Sequence, residues 1–157
     1  MKINYMQIIR GALLLLICAT IVFIFVQSAL PQEKSKEESD KVGDILAEVI
    51  PPETAVGGYV QDNVRKIAHF VEFAFLGLWT SLYMIFKYPR PAFFLLTAPA
   101  ALILAVFDET VQIFSERGPS LTDVWIDFAG FLFASIIIYT VYGIILFISK
   151  KRKQNLT

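Results

Sequence analysis

The sequence predicts an all-α membrane protein, a bundle of four transmembrane helices with both termini inside and an acidic extracytoplasmic loop. Three observations point there. Four stretches reach the roughly 20 mostly apolar residues that a helix needs to cross a bilayer. The charged residues outside those stretches segregate by sign. The ionisable residues within them collect in a few short blocks instead of being scattered. The 157-residue chain is 56% hydrophobic with a mean hydropathy of +0.61 and fourteen Phe, so such blocks are conspicuous. This length allows one domain, residues 1–157.

The predicted spans are about residues 11–30, 67–86, 92–114 and 123–148. The first is uniformly apolar between Lys2/Arg10 and Gln27. It also has signal-peptide features, with Val26-Gln27-Ser28 as a tolerable cleavage site, but it is longer than an ordinary h-region and poor in small residues at its end. Cys18, the one cysteine, lies in this segment and can form no intramolecular disulfide, so the redox compartment is unreadable. The loop of residues 31–62 holds eight acids and three lysines. Within it Val42, Ile45, Leu46, Val49 and Ile50 follow helical spacing until Pro51-Pro52. That pattern predicts a short amphipathic helix on the outer interface or the bundle. Gly57-Gly58 reads as a flexible return to the membrane.

The third span is apolar only from Ala92 to Phe107 and must carry Asp108, Glu109 and Gln112 to cross comfortably. Pro99 removes the backbone bond to the Leu95 carbonyl and should kink it. Gly118-Pro119 ends the segment, and Ser120 with Asp123 resembles an N-cap and N3 acid opening the fourth span. Gly77/Ser81, Gly130/Ala134 and the row Ala98, Ala101, Ala105 supply small residues for close helix packing.

Lys2, Arg10, Lys87, Arg90, Lys150, Lys151, Arg152 and Lys153 all flank the spans on one side, with no acid among them. The other side carries all fourteen acids and the remaining six bases, a net charge of −8. The positive-inside rule then places both termini and the 87–90 loop in the cytoplasm. Four spans satisfy this parity.

Three helices carry polar stripes near their outer ends. Arg65, His69 and Glu72 share one face by i, i+4, i+7 spacing, with Lys66 on its flank. Asp108 and Gln112 are four apart; Glu109, Gln112 and Glu116 follow i, i+3, i+7, and Asp123, Asp127 and Gly130 follow i, i+4, i+7. The stripes predict one polar pocket in the outer leaflet built from Arg65, Lys66, His69, Glu72, Asp108, Glu109, Gln112, Arg117, Asp123 and Asp127, with Arg65 or Lys66 paired to a carboxylate.

The ordered motifs Arg-Lys-x-x-His-Phe-x-Glu-x-x-x-Leu-Gly at residues 65–77 and Asp-Glu-x-x-Gln-x-Phe at 108–114, with Arg117, Ser120, Asp123, Asp127 and Gly130, resemble VanZ-like membrane proteins. The resemblance extends weakly to Phe25-Val26-Gln27-Ser28, Ser35 and Ser39. Val26 departs from the Ser expected beside Gln27, and Asp127 stands where Asn is frequent. The resemblance implies a bacterial plasma-membrane protein associated with teicoplanin resistance and the cell envelope; it implies no enzyme class.

The residues admit more than one chemistry. Polar side chains hold membrane helices together at about 1 kcal/mol per bond, but cohesion needs only a few pairs. Six carboxylates exceed the local Arg65, Lys66 and Arg117, so some must be exposed, protonated or bound to a cation. Arg65, Lys66 and Arg117 suit a phosphate, which favours binding of a lipid headgroup, a lipid-linked cell-wall precursor or a lipoglycopeptide. His69 beside Glu72 or Asp108 also suits a general base acting on a lipid-linked substrate. A divalent cation held by His69 and carboxylates fits as well, with no other cofactor expected. A transporter is disfavoured by four helices without an inverted repeat. Ser120 and Asp123 are accounted for by a cap, and Trp79, Tyr83, Tyr88 and Trp125 by interfacial anchoring. Phosphate-binding Gly loops, Cys-x-x-Cys and a soluble basic module are absent, which excludes the corresponding soluble enzymes and nucleic-acid binders.

Overall fold

The computed structural model describes residues 5–88, 94–115, 118 and 120–154. Five helices account for nearly all of them: α1 (Tyr5–Ser28), α2 (Gln32–Val49), α3 (Ala55–Lys87), α4 (Phe94–Phe114) and α5 (Leu121–Gln154). Among the described residues there is no strand. Helices α1, α3, α4 and α5 are each long and apolar enough to cross a membrane. Their outward faces are apolar, with Leu15 70%, Phe133 56% and Ile145 55% exposed, whereas Ser28, Asp108, Gln112 and Asp127 are buried. That inversion of a soluble protein's pattern is expected where the surrounding solvent is lipid. The chain is a multi-pass membrane protein with an all-α fold.

Helix α3 is the spine of the bundle and packs most extensively on α5. Two reciprocal glycine contacts allow this. A methyl group at Gly77 would lie 3.0 Å from the Phe131 Cα, and one at Gly130 would lie 3.2 Å from the Phe70 Cα, in each case with the neighbouring carbonyl oxygen closer still. Only hydrogen fits at either position. Ser81 and Ser135 are buried in the bundle, and Ser135 Oγ approaches the Gly77 carbonyl at 3.5 Å. The expected alanine row of α4 is used similarly: Ala101 and Ala105 are buried against a core of Ile24, Phe73, Leu76 and Phe131.

Several boundaries differ from the sequence reading. Helix α2 has 18 residues rather than a short stretch near 42–50. Its first half carries no apolar periodicity, but it is rich in helix-favouring Glu and Lys, and Glu37 and Lys41 pair at 2.7 Å along it. Lys41 holds the Glu37 carboxyl below its ordinary value. Of the expected apolar face of α2, Val42, Ile45 and Val49 are exposed while Leu46 and Ile50 are half-buried, and α2 meets α3 where Gln61 donates to the Gly43 carbonyl at 2.6 Å. Residues 55–62, assigned to the loop, form the first turns of α3. Thr54 Oγ1 caps them by accepting the Gly57 N–H at 2.9 Å. Gly57 is therefore no flexible hinge: a Cβ there would strike the Pro51 backbone. Non-helical geometry at Asn63 separates this entry segment from the span proper. At 33 residues, about 50 Å, α3 is longer than the hydrocarbon core, so a break near its entry is reasonable.

Pro99 lies within α4, in its second turn as described from Phe94. At the end of the bundle far from α2, Arg10 donates through Nε (3.0 Å) and Nη2 (2.6 Å) to the Phe86 carbonyl. This caps the negative end of α3 and binds it to α1. Arg117, Glu116 and Pro119 lie outside the described residues, as do Lys2 and Arg90 of the charge count.

Candidate functional site

Four spanning helices bring polar groups together at the α2 end of the bundle. Three spacings account for this. His69 sits one turn from Phe73 on the buried side of α3, and Asp108 and Gln112 share a face of α4 by their four-residue separation. Asp127 lies three residues before Gly130, so the closest α3–α5 approach draws its carboxylate inward.

Asp108 is the hub and has no exposed surface. Ser28 at the end of α1 donates its hydroxyl to Asp108 Oδ1, and Gln112 Nε2 donates to Oδ2 at 3.0 Å. Arg65 in turn donates through Nη2 to Gln112 Oε1. Arg65 thus meets a carboxamide, which links it to Asp108, rather than directly a carboxylate as expected. A guanidinium's geometry suits such a planar acceptor. The hydroxyl of Ser115 reaches back to the Ser28 carbonyl at 2.9 Å, fastening α4 to α1.

His69 Nδ1 stands 3.3 Å from Asp127 Oδ1 and 3.7 Å from Asp108 Oδ2 without a hydrogen bond to either. Both Asp127 oxygens lack a hydrogen-bond partner although the residue has no exposed surface. One ligand atom from each of His69, Asp108 and Asp127 falls within 4.8 Å of the other two. Glu109, 5% exposed, accepts the Ser120 N–H through Oε1 at 2.5 Å, while its Oε2 is buried without a partner. Ser120 Oγ accepts the Asp123 N–H at 3.3 Å, so the expected cap forms. Asp123 itself is half-buried with Oδ1 unpartnered.

The structure therefore brings together His69, Asp108, Gln112, Asp127 and Arg65, with Glu109 and Asp123 at the start of α5. Lys66 is exposed, with no partner among the described residues, and does not join them. Its position on the helix wheel, one residue beyond Arg65, turns it out of the bundle. Arg117 is not described. Ser28 escaped the sequence reading as a site residue because it carries no charge and closes an otherwise apolar helix.

Two neighbouring spaces adjoin the cluster along α1 and α3, the first of them also bordered by α2. A cavity of about 220 Å³ is lined by Gln27, Glu38, Arg65, His69 and Glu72 together with apolar neighbours, including Phe23 and Ala68. A larger groove of about 520 Å³ runs along the same helices past Leu16, Phe75 and Trp79. Phe23, Ala68 and Glu72 line both. Trp79, expected to anchor at an interface, stacks on Phe75 in this groove with ring centroids 6.2 Å apart. Ser35 and Ser39 of α2 line the polar cavity, and also a second polar recess of about 300 Å³ that includes Arg65 and Asp62.

An arrangement of this kind can hold a polar or anionic group beside Arg65 while an apolar chain lies along α1 and α3. It can also orient an imidazole between two carboxylates. No curated protein and no solved structure matches the chain. The family model described as VanZ/LLP1 matches residues 12–147, which reaches into all four spans and includes the polar cluster. The chain belongs to the VanZ/LLP1 family.

Proposed function

We propose that this protein binds an amphiphile of the outer leaflet, a lipid or lipid-linked cell-wall precursor, in the space between α1 and α3. The polar head lies in the 220 Å³ cavity beside Arg65, His69 and Glu72, and the acyl chain lies in the 520 Å³ groove. The observation that carries this reading is that Phe23, Ala68 and Glu72 border both spaces, so the cavity holding Arg65 and His69 lies directly beside the apolar groove. An acyl chain leaving lipid for an apolar groove gains little hydrophobic energy, so affinity rests on the head. Arg65 supplies a phosphate-matching donor, held in place by Gln112.

The segregation of basic flanks supports termini in the cytoplasm of a bacterial cell and a polar mouth facing outward. An outer-leaflet site of this type connects with the teicoplanin association implied by the family resemblance. Teicoplanin carries an acyl chain that enters the outer leaflet; vancomycin has none. Expression in a susceptible Gram-positive host should lower sensitivity to teicoplanin and much less to vancomycin. Glu109→Gln or His69→Ala should abolish protection while the protein still accumulates. Unchanged protection in both variants would assign the cluster to helix cohesion alone. Mass spectrometry of lipid co-purified with the protein tests the binding reading directly; loss of a recurrent lipid on Arg65→Ala is the expected result.

A second reading is favoured by the position of His69 Nδ1 3.3 Å from Asp127. It makes the protein a membrane-embedded hydrolase or transferase, with His69 as general base on a lipid-linked substrate and Asp127 orienting it. Conversion of bound lipid over time in a reconstituted membrane would distinguish it from binding alone.

A further inference from the structure

We infer that His69, Asp108 and Asp127 form a binding site for one divalent transition-metal ion, of the Zn²⁺ or Mn²⁺ type. This goes beyond the amphiphile reading and does not depend on it.

The geometry suits a metal better than a hydrogen-bonded network. Two ligand atoms bound at roughly 2.0–2.2 Å to a tetrahedral ion stand about 3.3–3.6 Å apart. His69 Nδ1 lies 3.3 Å from Asp127 Oδ1 and 3.7 Å from Asp108 Oδ2, and one ligand atom from each of the three residues falls within 4.8 Å of the other two. An imidazole hydrogen-bonded to one carboxylate would close on it with good alignment, yet Nδ1 makes no hydrogen bond.

The second observation is independent of the spacing. Asp127 is fully buried, both its oxygens lack partners, and no Lys or Arg among the described residues pairs with it. A buried carboxylate left in that condition is costly unless a cation meets it. The two aspartates with a neutral imidazole carry the charge that a +2 ion would offset; a lone proton would leave one Asp127 oxygen still without a partner.

Asp108 is also held as a metal ligand is usually held. Ser28 and Gln112 donate to its oxygens, and Arg65 secures Gln112. An imidazole nitrogen among the ligands argues for Zn²⁺ or Mn²⁺ over Ca²⁺ or Mg²⁺, which prefer oxygen alone. Three protein ligands leave a coordination position free. His69 also lines the 220 Å³ cavity, so the site adjoins the space between α1 and α3.

The test uses the full chain purified in detergent. After chelator treatment and dialysis, Zn²⁺, Mn²⁺, Mg²⁺ and Ca²⁺ are added separately, and bound metal is measured by inductively coupled plasma mass spectrometry. The expected result is one equivalent of Zn²⁺ or Mn²⁺ per chain, with a raised thermal midpoint. Mg²⁺ and Ca²⁺ should bind at least tenfold more weakly. Electron spin-echo spectra of the Mn²⁺-loaded protein should show one coupled imidazole nitrogen. Asp127→Asn and His69→Gln should each lose the bound metal and the midpoint shift, while Lys66→Ala keeps both. If neither ligand variant accumulates, the wild-type stoichiometry and the nitrogen coupling still decide. Less than a tenth of an equivalent at millimolar metal, a missing nitrogen signal, or undiminished binding in Asp127→Asn would overturn the site.

Discussion

Replacing Ser28 by alanine removes a single hydroxyl from the last turn of α1 and leaves Asp108 Oδ1 without the donor it has in the wild type. Hydrogen bonds between membrane helices average about 0.6 kcal/mol by double-mutant cycles, so a neutral pair would barely register. Here the acceptor is a carboxylate, and the two residues are 1% and 0% exposed. Bonds to charged groups contribute about 1.5–3 kcal/mol, so losing this donor should cost more than losing a neutral one. The upper part of the membrane range, about 1.5–2 kcal/mol, is therefore expected for Ser28→Ala. The assay is unfolding in mixed micelles of rising denaturing-detergent fraction, run as a cycle with Asp108→Asn. The bond from the Ser115 hydroxyl is retained in this variant, because it donates to the Ser28 backbone carbonyl rather than to the side chain. A coupling energy below about 0.5 kcal/mol would refute the reasoning, since the bond would then be no stronger than an average neutral one. Removal of α1 from the mature protein at the Val26-Gln27-Ser28 site would refute it as well.

The other expectations concern packing, capping and the anionic group. Gly130→Ala should lower stability by about 1–3 kcal/mol through overpacking against the Phe70 backbone, whereas Gly143→Ala, which has open space around it, should be nearly neutral in the same micelle assay. Arg10→Ala should cost about 1–2 kcal/mol by uncapping the Phe86 carbonyl, and Arg10→Lys should recover only part, because Lys cannot present two fixed donors. Arg65→Ala should weaken binding of an anionic amphiphile about tenfold or more, with Lys66→Ala close to wild type, measured by lipid competition in nanodiscs; equal losses at both positions would mean that only general surface charge matters.

Much of this protein could be read from residue order alone. Apolar stretches of bilayer length determine four spans regardless of what they pack against, because each helix satisfies its own backbone in lipid. Helical periodicity places His69 and Glu72, or Asp108 and Gln112, on common faces with no knowledge of the partner helix. The motifs at 65–77 and 108–114 were sufficient to indicate the family that the match over residues 12–147 establishes. Other features depended on the tertiary structure. Lys66 and Arg65 are adjacent and alike in charge, and only the packing of α3 and α4 onto α1 and α5 decides that Arg65 meets Gln112 while Lys66 stays outside. Ser28 becomes a site residue because α1 happens to end beside Asp108, 80 positions away in sequence. Asp127 lacks hydrogen-bond partners because Gly130 lets α5 come so close to α3 that its carboxylate is sealed in with His69. Local sequence sets which way a side chain leaves its own helix, whereas the group it meets is set by how two helices approach, and that is decided by contacts far apart in the chain.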